Sequence, residues 1–196
     1  MERTYPHPRT RRRASYTRSG FSTTRAPGTE PINYLSPLIA VTIGIVHAGL
    51  APVLVVGDVK PSLLLVAVVL VTSIAGFLPG IVWAFAAGVT ANLLGGEPLG
   101  SVPLVMLLVA VLVAAGARLF GGLVWVYPVA AAFGATIVAD VGLFAISQIT
   151  ADPLGSALAP DLLVRAAALN AVLAAVFVYP ARVLMARLDP EEAPAW

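Results

Sequence analysis

The chain of 196 residues has no cysteine. That excludes disulfides, thiolate nucleophiles and cysteine-based metal sites. Histidine is nearly absent too, with only His7 and His47. Charged residues make up 11% of the chain, against 59% apolar. A soluble domain carries about 25% charged residues. There is no Walker A loop, no HExxH, no GxSxG and no kinase motif set. Gly116 to Gly122 is a short Gly-bounded loop with no strand before it, so it is no phosphate cradle. These absences argue against an enzyme and against any bound cofactor.

What is present is long apolar sequence, with a mean hydropathy of +0.91. The composition is that of an integral membrane protein of the all-α, polytopic class. Residues 1–34 form an Arg-rich polar tail holding Arg3, Arg9, Arg11, Arg12, Arg13, Arg18 and Arg25. Its apolar content is too low for a core, so it is expected to be disordered and cytoplasmic. It serves either as a topogenic signal or as a contact for anionic lipids. Its aromatics do not make a nucleic-acid site of a membrane-anchored tail, and no nucleic acid is expected as a partner.

A six-helix transmembrane domain is expected over 35–188, followed by a short cytoplasmic tail at 189–196. Its apolar segments run from about Leu35 to Val56, Ser62 to Leu78, Ile81 to Leu94, Leu99 to Phe120, Leu123 to Thr150 and Leu162 to Leu188. A spanning helix needs about 20 apolar residues. The second and third segments fall short of that and are joined only by Leu78-Pro79-Gly80. They are expected to cross as two thin spans. The first segment is too long for the apolar core of a cleaved signal peptide. With six spans and the N-terminus inside, the tail arginines, Arg118, Arg182 and Arg187 lie on one side, and Lys60 and Arg165 on the other. The basic bias puts both termini in the cytoplasm.

Polar residues inside apolar spans are costly and usually face the bundle interior. His47, Asp140 and Asn170 fall at a similar expected depth and could meet. The bland expectation is an interhelical hydrogen-bonded cluster. The sharper one, a proton relay or ligand site, needs more charge than one carboxylate and one imidazole. Small residues at Ser36, Ala40, Gly44 and Ala48 recur every four positions and lay a smooth stripe along one helix face. Such a stripe suits either a partner membrane helix or packing within the chain. Gly80, Ala84 and Gly88 lay a second one.

The stretch Val82 to Gly100 organises the rest. It carries Gly88 and Asn92 and ends in Gly95-Gly96-Glu97-Pro98-Leu99-Gly100, with a long apolar run following at once. Here the chain resembles the MreD family of the bacterial rod-shape (elongasome) system. The likeness covers about Leu35 to Leu188. It rests on Val59-Lys60-Pro61-Ser62 before the second span, and on Gly80, Gly88, Gly95, Gly96, Pro98, Leu99 and Gly100 around the third. It extends to Asp140 in the fifth span and to Tyr179-Pro180 with Arg182 at the end of the sixth. Ser62 and Asn92 stand where the family usually has acids. The resemblance implies a non-enzymatic scaffold of the inner (cytoplasmic) membrane. Its partners would be an MreC-like protein and, through it, RodA, a penicillin-binding protein and MreB. The family fold is similar to the six-helix substrate-binding subunit of energy-coupling-factor vitamin transporters. That similarity supplies the alternative function, in which the stripe from Ser36 to Ala48 would dock a coupling subunit. A proton-coupled transporter built on Asp140 is a distant third.

Overall fold

A computed structural model describes residues 31–50, 53–55, 59–120, 122–150 and 159–188. They form six helices: α1 (Pro31–Leu50), α2 (Leu63–Ala75), α3 (Phe77–Leu94), α4 (Ser101–Phe120), α5 (Val126–Thr150) and α6 (Pro160–Leu188). Proline marks the entries. Pro31 and Pro160 open their helices, and Pro79, Pro103 and Pro128 lie in the first turn of α3, α4 and α5. There the missing N–H costs nothing, because the first turn has no intrahelical acceptor for it. Four helices, α3, α4, α5 and α6, are long and apolar enough to cross a membrane. The described residues include no strand. α1 starts ahead of the expected Leu35 and stops at Leu50, where Leu54 N–H turns back to the Leu50 carbonyl at 2.9 Å. The arginine tail and its expected lipid contact, and the tail at 189–196, lie outside the described residues.

α2 is the central element. It packs on α3, α4, α5 and α6, and more lightly on α1. Its sequence LLLVAVVLVTSIA is apolar on every side, as a helix surrounded by others must be. Eight of its 13 residues are buried. At about 1.5 Å per residue it reaches only about 20 Å, two-thirds of a hydrocarbon core. α3 to α6 form an arc around it, each packed on the next, and α1 leans on the outside of α3. The exposed side chains of α4, such as Leu104, Leu108, Val111 and Leu112, are large and apolar. That surface suits lipid rather than water.

The α2–α3 turn is the tightest in the bundle. Gly76 is its single linking residue, with φ +92°, a conformation open to glycine and strained for other residues. Immediately after it, a methyl group on Gly80 would collide with the Thr72 side chain. The two helices come this close at Gly80 because it has none.

Candidate functional site

The turn from α3 to α4 is built on Asn92. Its side chain is buried, at 3% exposure. The amide Nδ2 donates to the Glu97 carbonyl (3.3 Å) and the Pro98 carbonyl (3.2 Å), and Oδ1 accepts from Gly100 N–H. Ser101 continues the network, donating from Oγ to Pro98 O at 2.7 Å. Three of the four hydrogen bonds an amide can make are therefore spent on one turn. Gly100 sits at φ +90°, which fits the reversal of the chain into α4. Gly95 closes α3 by donating to Ala91 O at 2.8 Å, while Gly96 and Pro98 carry the chain across. One turn back, a methyl on Gly88 would stand 2.8 Å from Pro103 Cα. α3 and α4 thus meet backbone to backbone below the turn and are stapled by an amide within it.

The small-residue stripe of α1 lies against α3. Ser36 Oγ accepts a hydrogen bond from Trp83 Nε1 at 2.6 Å. Ala40 is fully buried, and a methyl on Gly44 would stand 2.7 Å from the Ala87 carbonyl oxygen and 2.9 Å from Thr90 Cβ. Ala48 is half-buried at the far end. Of the two uses the stripe allowed, the structure occupies it with packing inside the chain.

The expected meeting of His47, Asp140 and Asn170 does not form. Asn170 is 1% exposed and holds two partners, neither of them His47 or Asp140. Its Oδ1 accepts from Ser62 N–H at 2.9 Å, and its Nδ2 donates to Thr136 Oγ1 at 3.1 Å. Thr136 in turn donates to Ala132 O at 2.8 Å. The reason for the difference is which helices are neighbours: α1 packs on α3 and α2 rather than on α5 or α6, while Asn170 is engaged by the start of α2 and by α5. Asn170 lies ten residues into α6, about 15 Å along it. The start of α2 is drawn down to that level, with Val59 and Pro61 buried on the way. An N-terminus sunk into a bundle needs acceptors for its free N–H groups. Ser62 Oγ supplies one to Leu65 N–H at 3.3 Å, and Asn170 supplies the next from a different helix. His47 sits half-buried on α1, which packs on α3 and α2, whereas Asp140 sits half-buried on α5, which packs on α6, α4 and α2. Neither has a hydrogen-bond partner among the described residues.

A third polar station lies where α4 passes to α5. Arg182 of α6 donates from Nη2 to Val124 O at 2.6 Å, and its guanidinium carbon lies 5.1 Å from the centroid of the Trp125 ring. Trp125 stacks on Tyr179, with ring centroids 6.4 Å apart. Pro180, next in sequence, is exposed within α6. Along the adjacent α4–α5 face runs an apolar groove of about 430 Å³. Tyr127 lies within it and donates its hydroxyl to the Val113 carbonyl.

Sequence reasoning missed Thr136, Trp83 and Trp125. Ser62 enters the sequence reading only as a family position and not as a helix cap, although a serine after Pro61 at the start of an apolar run is the signal that could have shown it. Nothing local marks the other three, whose partners come from distant helices. Among the described residues no cluster of three or more His, Asp or Glu could hold a metal. Comparison of the chain with family models, with curated proteins and with solved structures finds no match.

Proposed function

We propose that the chain is a non-enzymatic membrane scaffold of the cell-wall elongation machinery. It would support cell shape and peptidoglycan synthesis by binding an MreC-like protein, and with it RodA, a penicillin-binding protein and MreB. The observation that carries this is how the bundle spends its polar groups. Asn92, Asn170, Thr136, Ser62 and the Ser36–Trp83 pair all bond to other parts of the same chain. Such a network rigidifies a fold and suits a protein whose work is to present fixed surfaces. The Gly and Pro residues of the α3–α4 turn, on which the likeness to MreD mainly rests, serve that same rigidity.

In this reading all six helices cross the inner membrane, α2 as a thin span sheltered by its neighbours, and both termini face the cytoplasm. The positive-inside bias supports that orientation. The vitamin-binding alternative is less well supported, because it needs the α1 stripe for a coupling subunit and α3 already occupies that stripe. Crosslinking in intact membranes followed by pull-down tests the proposal. Recovery of a periplasmic coiled-coil protein with cell-wall synthases is expected. Recovery of an ATPase with its coupling subunit, and no synthase, would overturn it.

A further inference from the structure

We propose that the groove between α4 and α5 is a binding site for one anionic phospholipid, with an acyl chain in the groove and the phosphate at Arg182. This rests on the membrane location of the chain and not on the scaffold reading.

The groove is lined by aliphatic groups, among them Val109, Leu112 and Val113 of α4 and Ala131 and Val138 of α5. Its single hydroxyl, on Tyr127, is already bonded to a backbone carbonyl. Nothing there would hold water, and nothing there would orient a polar ligand. Gly134 leaves open space where a side chain would stand, so the groove is kept free on the α5 side.

The lining of the groove includes Leu123 and Val126. The two residues between them, Val124 and Trp125, are the ones that hold Arg182. An apolar channel and a guanidinium therefore share a single four-residue turn. Arg182 is only half-buried as a residue, its Nε is buried without a hydrogen-bond partner, and no carboxylate among the described residues lies within 4.0 Å of it. The start of α5, in the same turn, adds the partial positive charge of a helix N-terminus. Trp125 and Tyr179 are of the residue types that settle at the level of lipid headgroups. A negative headgroup beside an acyl chain matches each of these in place: the chain fits the groove, the phosphate fits a cation with no carboxylate partner among the described residues, and the aromatic pair sits at the junction. A partner helix would fill the groove but would leave the cation unanswered.

The test uses the full chain purified in mild detergent, with phosphatidylglycerol or phosphatidylcholine of identical acyl chains added, read by native mass spectrometry. One retained lipid is expected, with phosphatidylglycerol preferred about fivefold, the worth of one basic residue near an anionic headgroup. Arg182→Gln should abolish the preference and Arg182→Lys should keep most of it. Gly134→Leu, which leaves Arg182 and its turn untouched, should remove retention of both lipids. Unfolding midpoints confirm that each variant is folded, and Gly134→Leu decides the matter if Arg182→Gln is not. Equal retention of the two lipids by the unaltered chain, or unchanged retention in Gly134→Leu, would overturn the proposal. So would a photocrosslinker at Ala130 that captures a protein helix in native membranes instead of lipid.

Discussion

Replacing Asn92 by aspartate is the sharpest probe of the α3–α4 turn, because it changes two donors into an acceptor and alters almost no volume. The amide donates to Glu97 O at 3.3 Å and Pro98 O at 3.2 Å. Both are long, so each is worth about 0.5 kcal/mol, at the weak end for such bonds. Pro98 O keeps the Ser101 hydroxyl as donor, and Glu97 belongs to an exposed residue, so neither carbonyl is left stranded. The larger cost is the new charge. A carboxylate at a position only 3% exposed would face two carbonyl oxygens, a loss of about 1–3 kcal/mol. The bond from Gly100 N–H gains from the charge and returns about 1 kcal/mol. The net expectation for Asn92→Asp is a loss of about 2 kcal/mol at neutral pH. Reversible unfolding in mixed micelles measures it. Acidification should narrow the gap to the unaltered chain, since a protonated acid recovers one donor, and raising the pH should widen it. A variant as stable as the parent at neutral pH would refute the idea that amide donation holds the turn.

Other positions give equally direct expectations. Asn170→Leu strips Ser62 N–H and Thr136 of their partner in a dry bundle and should cost about 2–4 kcal/mol in the same unfolding assay. Gly80→Ala should cost about 1–3 kcal/mol through collision with Thr72. Adding Thr72→Ala should recover part of it, so that the double variant is less destabilised than the sum of the singles. Asp140→Asn should cost no more than about 0.5 kcal/mol and is expected to gain stability, because it removes a half-buried carboxylate that bonds to nothing among the described residues. A larger loss would show an interaction for its charge.

Helix positions were largely legible in the sequence, since apolar runs and prolines mark them within a few residues. The Gly/Pro turn after Leu94 was legible too, and so was the burial of Asn92, because a lone amide in an apolar run must find partners. What those partners are was not legible. Asn92 bonds to the chain five to eight residues ahead, a local turn that only the backbone path creates. Depth was estimated from distance to the end of each segment, which assumes that every helix starts at the membrane surface. Depth also does not say which helices are neighbours: α1 packs on α3 and α2 rather than on α5 or α6, so His47 does not join Asp140 and Asn170. The use of the Ser36–Ala48 stripe was equally hidden, because small residues every four positions say that something comes close and not what.

The shortness of α2 bears on how the chain is made. A helix of 13 residues is too short to be a stable guest in a bilayer by itself, and its first N–H groups wait for Ser62 and for Asn170, which is synthesised about a hundred residues later. Glycine at 76 allows α2 and α3 to enter as one folded pair, with α3 as the member long enough to hold its place. α6, the last of these six helices to emerge from the ribosome, then completes the cap of α2. Chains truncated before α6 should leave α2 open to proteolysis or to labelling at its Ser62 end, whereas full-length chains should protect it. In this molecule the centre of the bundle is finished last.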